Sequence, residues 1–366
     1  MRDRLFRRSI AVFGVAAVVA LMAIPASASA SAAGTHRVVV PLGHSIQRAI
    51  NEAPPGTTIV LEPGTYAQSF QIRKDRITVQ GAGPSEDGTV LVPPAQLPKN
   101  MCRRMTGGSG ACVIASRMDH GQVLNWATGD TITGILFENW RAMGVFGYGT
   151  DGLTITNNAA VNYGDYGFAR FNSMNSTIEN NTAQGGGTAE AGVYVGDSPD
   201  ADTVVRGNTV TGGNTWGVFV RHSHGVEVAF NNLSGNCEGI VALDDGQPGG
   251  VGDVSIHDNF AHANNQFCPP GEGPPLQGGG ILLLGATDSS VWHNNVLGNQ
   301  GDQVNSGGIV LFSATQFTGG SDVINDTVKN NTSYSNTPAD IIWDGSGTGN
   351  TFTGNHCGVS VPGGLC

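Results

Sequence analysis

The chain has 366 residues, among them 55 glycines, with only 13% charged residues and a net charge of −11. That acidity argues against nucleic acid and anionic membrane surfaces as partners, because both are held by basic faces. Six cysteines without a Cys-x-x-Cys pair argue against a thiolate zinc or redox centre and suit an exported, disulfide-bonded protein.

Residues 1–32 read as a secretory signal peptide: a basic start "MRDRLFRRS", the apolar run "IAVFGVAAVVALMAI" and small-residue cleavage sites in "PASASASAA". The apolar run is short for a membrane span. After cleavage the expected protein is extracellular, without a membrane attachment, and monomeric. Residues 33–366 are expected to form a single domain. Within 37–62, "HSIQRAINEAPPG" predicts a helix at Ser45 to Ala53, with Ile46, Ala49 and Ile50 on one face and Pro54-Pro55 ending it. The strands "TTIVL" and "ITVQG" follow. Residues 95–127 lose the regular spacing and read as a loop excursion stapled by Cys102 and Cys112, and 356–366 as a C-terminal cap closed by Cys357 and Cys366. Pairing by proximity leaves Cys237 with Cys268.

From residue 150 onward two phased motifs recur. Short β-rich runs end in asparagine at Asn158, Asn181, Asn208, Asn232, Asn259, Asn295, Asn331 and Asn355, with spacings of 23, 27, 24, 27, 36, 36 and 24. Between them lie "GVFGYG", "GFARFN", "GVYVGD", "GVFVRH", "GIVALDD", "GILLLG", "GIVLFS" and "DIIWDG". Strands this short cannot bury a face alone, but coils of about 24 residues stacked at roughly 4.8 Å form a continuous core and pair each edge with the next coil. The predicted fold is all-β: a single-stranded parallel β-helix of about 10–12 coils, with the N-terminal helix covering its first edge.

The run "SIQRAINEAPPGTTIVLEPGTY…ITVQGAG", followed by the "NN" coils, resembles the right-handed parallel β-helix superfamily, also called pectin-lyase-like or NosD-like, and its secreted actinobacterial repeat proteins. The resemblance covers about residues 37–360. It implies the fold and a carbohydrate-related role, but that superfamily holds polysaccharide lyases, glycoside hydrolases, uronate epimerases, adhesins and noncatalytic proteins. Neither the spaced aspartates with Gly-His-Gly nor the Asp-Pro-His-Asp motif of particular branches is present, so no single activity carries over.

Aligning the second motif of successive coils gives a polar column, Asn172, Asp197, His222 and Asp244, which turns bland at Gly285, Ser313 and Gly345. Asp197, His222 and Asp244, with Arg221 and Asp245, are the expected catalytic group. Asp197 and Asp244 would stand about 9–10 Å apart, a separation that suits an inverting glycosidase. Arg170, Tyr194, Phe219, His224 and Asn172 are the expected substrate contacts. Elimination or epimerisation of a uronic acid is the competing chemistry, with Arg170, Arg221 or a bound Ca²⁺ neutralising the sugar carboxylate and His222 or His224 taking the proton. No cofactor is required by either route; a Ca²⁺ site is expected at Asp197, Asp200 and Asp202. Each of these aspartates also suits a turn. The expected function is cleavage or modification of an extracellular polysaccharide or cell-wall glycan by a lyase or inverting hydrolase. A noncatalytic glycan-binding or structural β-helix stands as the alternative.

Overall fold

Three short strands per coil, each paired in parallel with its counterpart one coil away, build three long sheets. The computed structural model describes residues 36–366, apart from residues 188, 199 and 272; the expected signal peptide lies outside the described residues. Thr35–Cys366 forms one unit. Face A runs from Arg37–Val40 and Thr58–Leu61 to Thr351–Thr353, and face B from Gly64–Ala67 to His356–Cys357. Face C runs from Phe70–Ile72 to Ser360–Val361. Each coil contributes β-branched or aliphatic side chains to a common interior: on face A, Ile132, Ile155, Ile178, Val205 and Val228 stand in register and all are fully buried. The strand Asn214–Ala229 is 16 residues long and passes from face C to face A without a break.

The asparagine motif is a buried ladder at the A-to-B corner. Asn158, Asn181, Asn208, Asn231, Asn259, Asn294 and Asn331 each donate Nδ2 to the next Oδ1 at 3.0–3.2 Å, ending on Asn355. Each backbone N–H donates to the same oxygen, for example Asn181 N to Asn208 Oδ1 at 3.0 Å, and Nδ2 also reaches a carbonyl of the preceding coil, as from Asn208 to Ile178. The sequence reading had placed two rungs at Asn232 and Asn295; the ladder uses Asn231 and Asn294, and their neighbours begin the next strands. A second ladder, unseen in the motif alignment, runs Asn214, Asn236, Asn264, Asn299 and Asn336 to Asp340 at 2.9–3.0 Å.

The glycine that opens each second motif but the last, which opens with Asp340, is required by close approach. A Cβ on Gly217 would lie 2.6 Å from the Gly239 carbonyl oxygen, and one on Gly239 would lie 2.5 Å from that of Gly280. The coils can stack at strand spacing here only without a side chain.

The N-terminal helix α1 spans Ile46–Glu52, capped by Ser45 Oγ accepting from Arg48 N at 3.2 Å, with Ile46 and Ile50 buried. The 95–127 segment is only partly an excursion. It holds helix α2, Met101–Thr106, and a hairpin of Arg117–Asp119 with Gln122–Asn125, but Ala111–Ile114 between them is an ordinary face C strand paired with Val145–Tyr148. The disulfides are Cys102–Cys112, Cys237–Cys268 and Cys357–Cys366, the expected pairing. Among the described residues no helix is long and apolar enough to cross a membrane.

Candidate active-site cleft

The outer side of face C is where loops accumulate, and it carries a second apolar cluster separate from the interior. Outward side chains there form a continuous aromatic row. Phe171 and Tyr194 have ring centroids 4.5 Å apart, Tyr194 and Phe219 5.5 Å, and Phe219 and Trp216 4.1 Å. At its C-terminal end the row opens into a cleft of about 520 Å³. Glu190, Trp216, Phe219, Arg221, Glu238 and Asp245 line it, with walls from the Cys268–Leu276 loop and from Phe317 and Thr318.

Glu238 is the most perturbed group of this cleft. It sits on the strand Glu238–Leu243, paired with Trp216 of the preceding coil, and is fully buried. Trp216 Nε1 donates to its Oε2 at 2.8 Å. Its Oε1 has no hydrogen-bond partner. Burial pushes the carboxyl up to about 7, against the opposing pull of hydrogen bonds from Trp216 and Asn305. A carboxyl balanced between its two protonation states at neutral pH is the usual requirement of a proton-transfer group.

At the other end of the cleft Arg221 Nε donates to Asp245 Oδ2 at 2.7 Å. Burial of Asp245 is outweighed by hydrogen bonds from Gln247 and Arg221, so its pKa is lowered. Tyr166, beside Tyr194, is held well above the ordinary phenol value by burial and then by the neighbouring Glu190 carboxylate, to which its hydroxyl is hydrogen-bonded.

The polar column expected to be catalytic lies at the C-to-A corner, and a backbone requirement accounts for part of it. Asn172, Asp197 and His222 have φ of 43°, 54° and 47°, and Gly285 and Gly345 occupy the same corner at 70° and 81°. Left-handed backbone favours Gly, Asn, Asp and His, so these five members of the column answer one conformational need, which Asp244 and Ser313 do not share. His222 Nδ1 is 3.7 Å from Asp197 Oδ1, while His222 Nε2 lies 2.7 Å from Pro248 O and His224 Nε2 lies 2.7 Å from Gly249 O. A carbonyl only accepts, so both rings donate there and fasten the 245–250 loop. Asp244 Oδ1 accepts from Gly246 N at 2.9 Å and Oδ2 from Ser321 N at 2.7 Å; it is 3% exposed and ties two loops together.

The structure therefore brings Arg221, Asp245 and Phe219 to the cleft and leaves Asp197, His222, His224, Asn172 and Asp244 at the corner behind it. Arg170, expected to contact substrate, is instead inside the helix at 0% exposure. It donates to Ser173 O at 2.7 Å, Thr203 Oγ1 at 2.6 Å and Ser198 Oγ, and burial lowers it to about 9. Tyr194 points outward, yet neighbouring rings cover it to 1% exposure. Asp200 and Asp202 are exposed. Among the described residues no group of three or more His, Cys, Asp or Glu side chains is placed to hold a metal ion, Asp197, Asp200 and Asp202 included.

Sequence alignment of the second motifs overlooked Glu190, Trp216 and Glu238 because it began at the glycine. Trp216 and Glu238 lie directly before Gly217 and Gly239. Extending the columns one residue upstream brings in Trp216 and Glu238, and a second residue brings in Glu190, two before Gly192.

Residues 107–268, under half of the chain, match the family model described as NosD, periplasmic copper-binding protein. No curated protein matches by sequence. Among solved structures, the alginate lyase AlyF-OU02 in complex with G6 is 13% identical, with 88% of this chain and 80% of that chain covered and a TM-score of 0.55. The DFA-IIIase from Arthrobacter chlorophenolicus A6 in complex with GF2 is 15% identical, with 81% and 84% covered and a TM-score of 0.55. A variant of the periplasmic alginate epimerase AlgG is 14% identical, with 87% and 83% covered and a TM-score of 0.50. At these identities the likeness is one of fold. With parallel three-faced coils and an N-terminal capping helix, the chain has the fold of the right-handed parallel β-helix proteins, and its residues 107–268 are similar to the NosD family.

Proposed function

We propose that the protein is an exported, carbohydrate-active enzyme that hydrolyses a glycosidic bond of an extracellular polysaccharide in the face C cleft, with Glu238 as proton donor. The observation that carries this reading is Glu238 itself: a cleft-lining carboxyl, shielded from water beside an indole and raised to about 7. The aromatic neighbours Trp216 and Phe219 offer apolar faces to a sugar ring. Trp216 and Asn305 both contact the buried Glu238 carboxyl, so a substrate has to displace one of them to reach it.

Hydrolysis of a neutral glycan is favoured over elimination or epimerisation of a uronate by the charge of the cleft. Its acids are Glu190, Glu238 and Asp245, and its cation Arg221 is already committed to Asp245. A uronate substrate needs a cation facing its carboxylate as charge develops at the adjacent carbon. The three β-helix neighbours are an alginate lyase, a DFA-IIIase and an alginate epimerase by name, which supports a carbohydrate substrate in general.

The test is incubation of the purified protein with panels of neutral polysaccharides and polyuronates, reading new reducing ends and ultraviolet-absorbing unsaturated ends. Reducing ends from a neutral glycan, abolished by Glu238→Gln at unchanged melting temperature, are expected. Unsaturated products, or full turnover by Glu238→Gln, would overturn the reading, and binding without product would favour the noncatalytic alternative.

A further inference from the structure

We infer that the Cys237–Cys268 disulfide is a positioning element of this cleft: it pins the 268–276 wall to the coil that carries Glu238 and so keeps water from that carboxyl. The consequence for turnover rests on the proposed role of Glu238 as proton donor, whereas the consequence for Glu238 itself does not.

The composition of the wall is the first support. From Cys268 to Leu276 it reads "CPPGEGPPL", so four of the seven residues between its ends are prolines without an N–H. Cys268 N donates to Leu276 O at 2.9 Å and Leu276 N to Cys268 O at 3.0 Å, which closes the loop at its base. Among the described residues between them no hydrogen bond ties the loop to a neighbouring coil. A Cβ added to Gly271 or Gly273 would meet nothing within 4 Å. Such a segment has little of its own to hold it in place, and its position is set at the base.

At that base the disulfide is the covalent link. Cys237 is buried immediately before Glu238, and its Cα lies 5.9 Å from that of Cys268. Thr215 Oγ1, on the residue immediately before Trp216, is 3.7 Å from Cys268 Sγ. The wall thus meets both partners of the Trp216–Glu238 hydrogen bond through the residue that precedes each. Glu238 leans toward the strand that the wall leads into: a Cβ on Gly279 would lie 2.9 Å from Glu238 Cγ. The hydrogen bonds on either side of the wall hold its flanks instead, with Gln266 N donating to Asn236 O at 3.2 Å and Ser306 Oγ to Gln277 O at 2.7 Å.

The other two bridges are local. Cys102–Cys112 and Cys357–Cys366 join residues 10 and 9 apart and line no part of this cleft, whereas Cys237–Cys268 joins residues 31 apart and ends on its wall. Burial raises Glu238 against the hydrogen bonds from Trp216 and Asn305, so a wall that comes away admits water and lets the carboxyl fall toward its ordinary value.

The test uses the full-length protein with Cys237→Ala and Cys268→Ala combined, and carboxyl-carbon NMR to titrate Glu238, whose signal is identified by its loss in Glu238→Gln. The midpoint should fall from about 7 by roughly one pH unit or more, and should stay in place when Cys102→Ala and Cys112→Ala are combined instead. On the neutral glycan found active above, the alkaline limb of kcat/KM should move to lower pH by the same amount. That is a roughly tenfold loss per pH unit of displacement on the alkaline side, with the full rate recovered in acid; a bridge that only stabilised the fold would leave the limb where it is. An unmoved Glu238 midpoint, whatever the melting temperature, overturns the inference. A lowered midpoint together with full turnover by Glu238→Gln upholds it and sinks the reading of Glu238 as proton donor. If the double variant does not fold, Leu276→Ala thins the wall with the bridge intact: a lowered midpoint supports the inference, and an unmoved one overturns it.

Discussion

Trp216 Nε1 donates to Glu238 Oε2 at 2.8 Å across two adjacent coils. A donor stabilises the ionised carboxylate, so this bond restrains a pKa that burial drives upward. If Glu238 must be protonated to act, activity is full below about 7 and falls as pH rises through that value. Trp216→Phe removes the donor but keeps a ring, and should shift the alkaline limb of kcat/KM to higher pH. Glu238→Gln should cost about a hundred- to ten-thousand-fold in kcat. A pH–rate profile of the three proteins checks both expectations.

Asp244 has a different role from Glu238, and the two can be separated. Its oxygens hold Gly246 N and Ser321 N, while Thr318 Oγ1 donates to its carbonyl at 2.6 Å. Asp244→Ala leaves two part-buried donors, Gly246 N and Ser321 N, without their acceptor, at about 1 kcal/mol each. A lower melting temperature and faster amide exchange at 244–250 and 314–321 are expected. Lost activity with full stability would contradict this.

Asp130 and Asp326 are buried corner residues, each with one oxygen bonded to a backbone N–H and the other unpaired. Burial raises both from 3.8 to about 7. The folded state therefore holds protons that the unfolded chain releases. The stability contributed is full below about pH 4 and is lost as pH rises to about 7. Asp326→Asn keeps the accepting oxygen, and should raise the melting temperature near neutral pH and flatten its dependence between these limits. Thermal scans across that range decide the matter.

Two substitutions test the stacking corners. Asn208→Ala strands partners in two neighbouring coils, Asn181 N and Ile178 O among them, and should cost about 3 kcal/mol or more. Gly217→Ala puts a methyl 2.6 Å from the Gly239 carbonyl and should cost about 1–3 kcal/mol. Gly271→Ala, which meets nothing within 4 Å, serves as the neutral control. Urea titrations give the three values.

The repeat, the capping helix at Ile46–Glu52 and the disulfide pairing were all legible in the sequence, because each rests on local periodicity or proximity. The ladder register at Asn231 and Asn294 was not. In an Asn-Asn pair either residue can turn the corner, and only stacking on Asn208 and Asn259 selects one. The candidate site was half legible: Arg221 and Asp245 were recognised, Glu238 and Glu190 missed. A polar column looks alike whether it serves chemistry or left-handed backbone, and the positive φ at Asp197 and His222 gives those two residue types a backbone reason as well. Arg170 also misled, since its core position was visible in the apolar column but its hydroxyl partners, Ser198 and Thr203, come from the next coil, and Ser173 O from the corner just after it.

The constancy of the A-to-B corner has a consequence for how such a molecule can diversify. Between Ile155 and Ala159, as between Ile256 and Phe260, the chain turns in the same few residues around a ladder asparagine. From the first ladder rung at Asn158 onward, the longer insertions, 244–251, 265–278 and 313–324, fall instead at the two corners that flank face C, while the one long A-to-B turn, 81–88, precedes the ladder. New material can be added there without disturbing the asparagine rungs at the A-to-B corner, so the walls of the cleft can be rebuilt for another ligand on an unchanged spine.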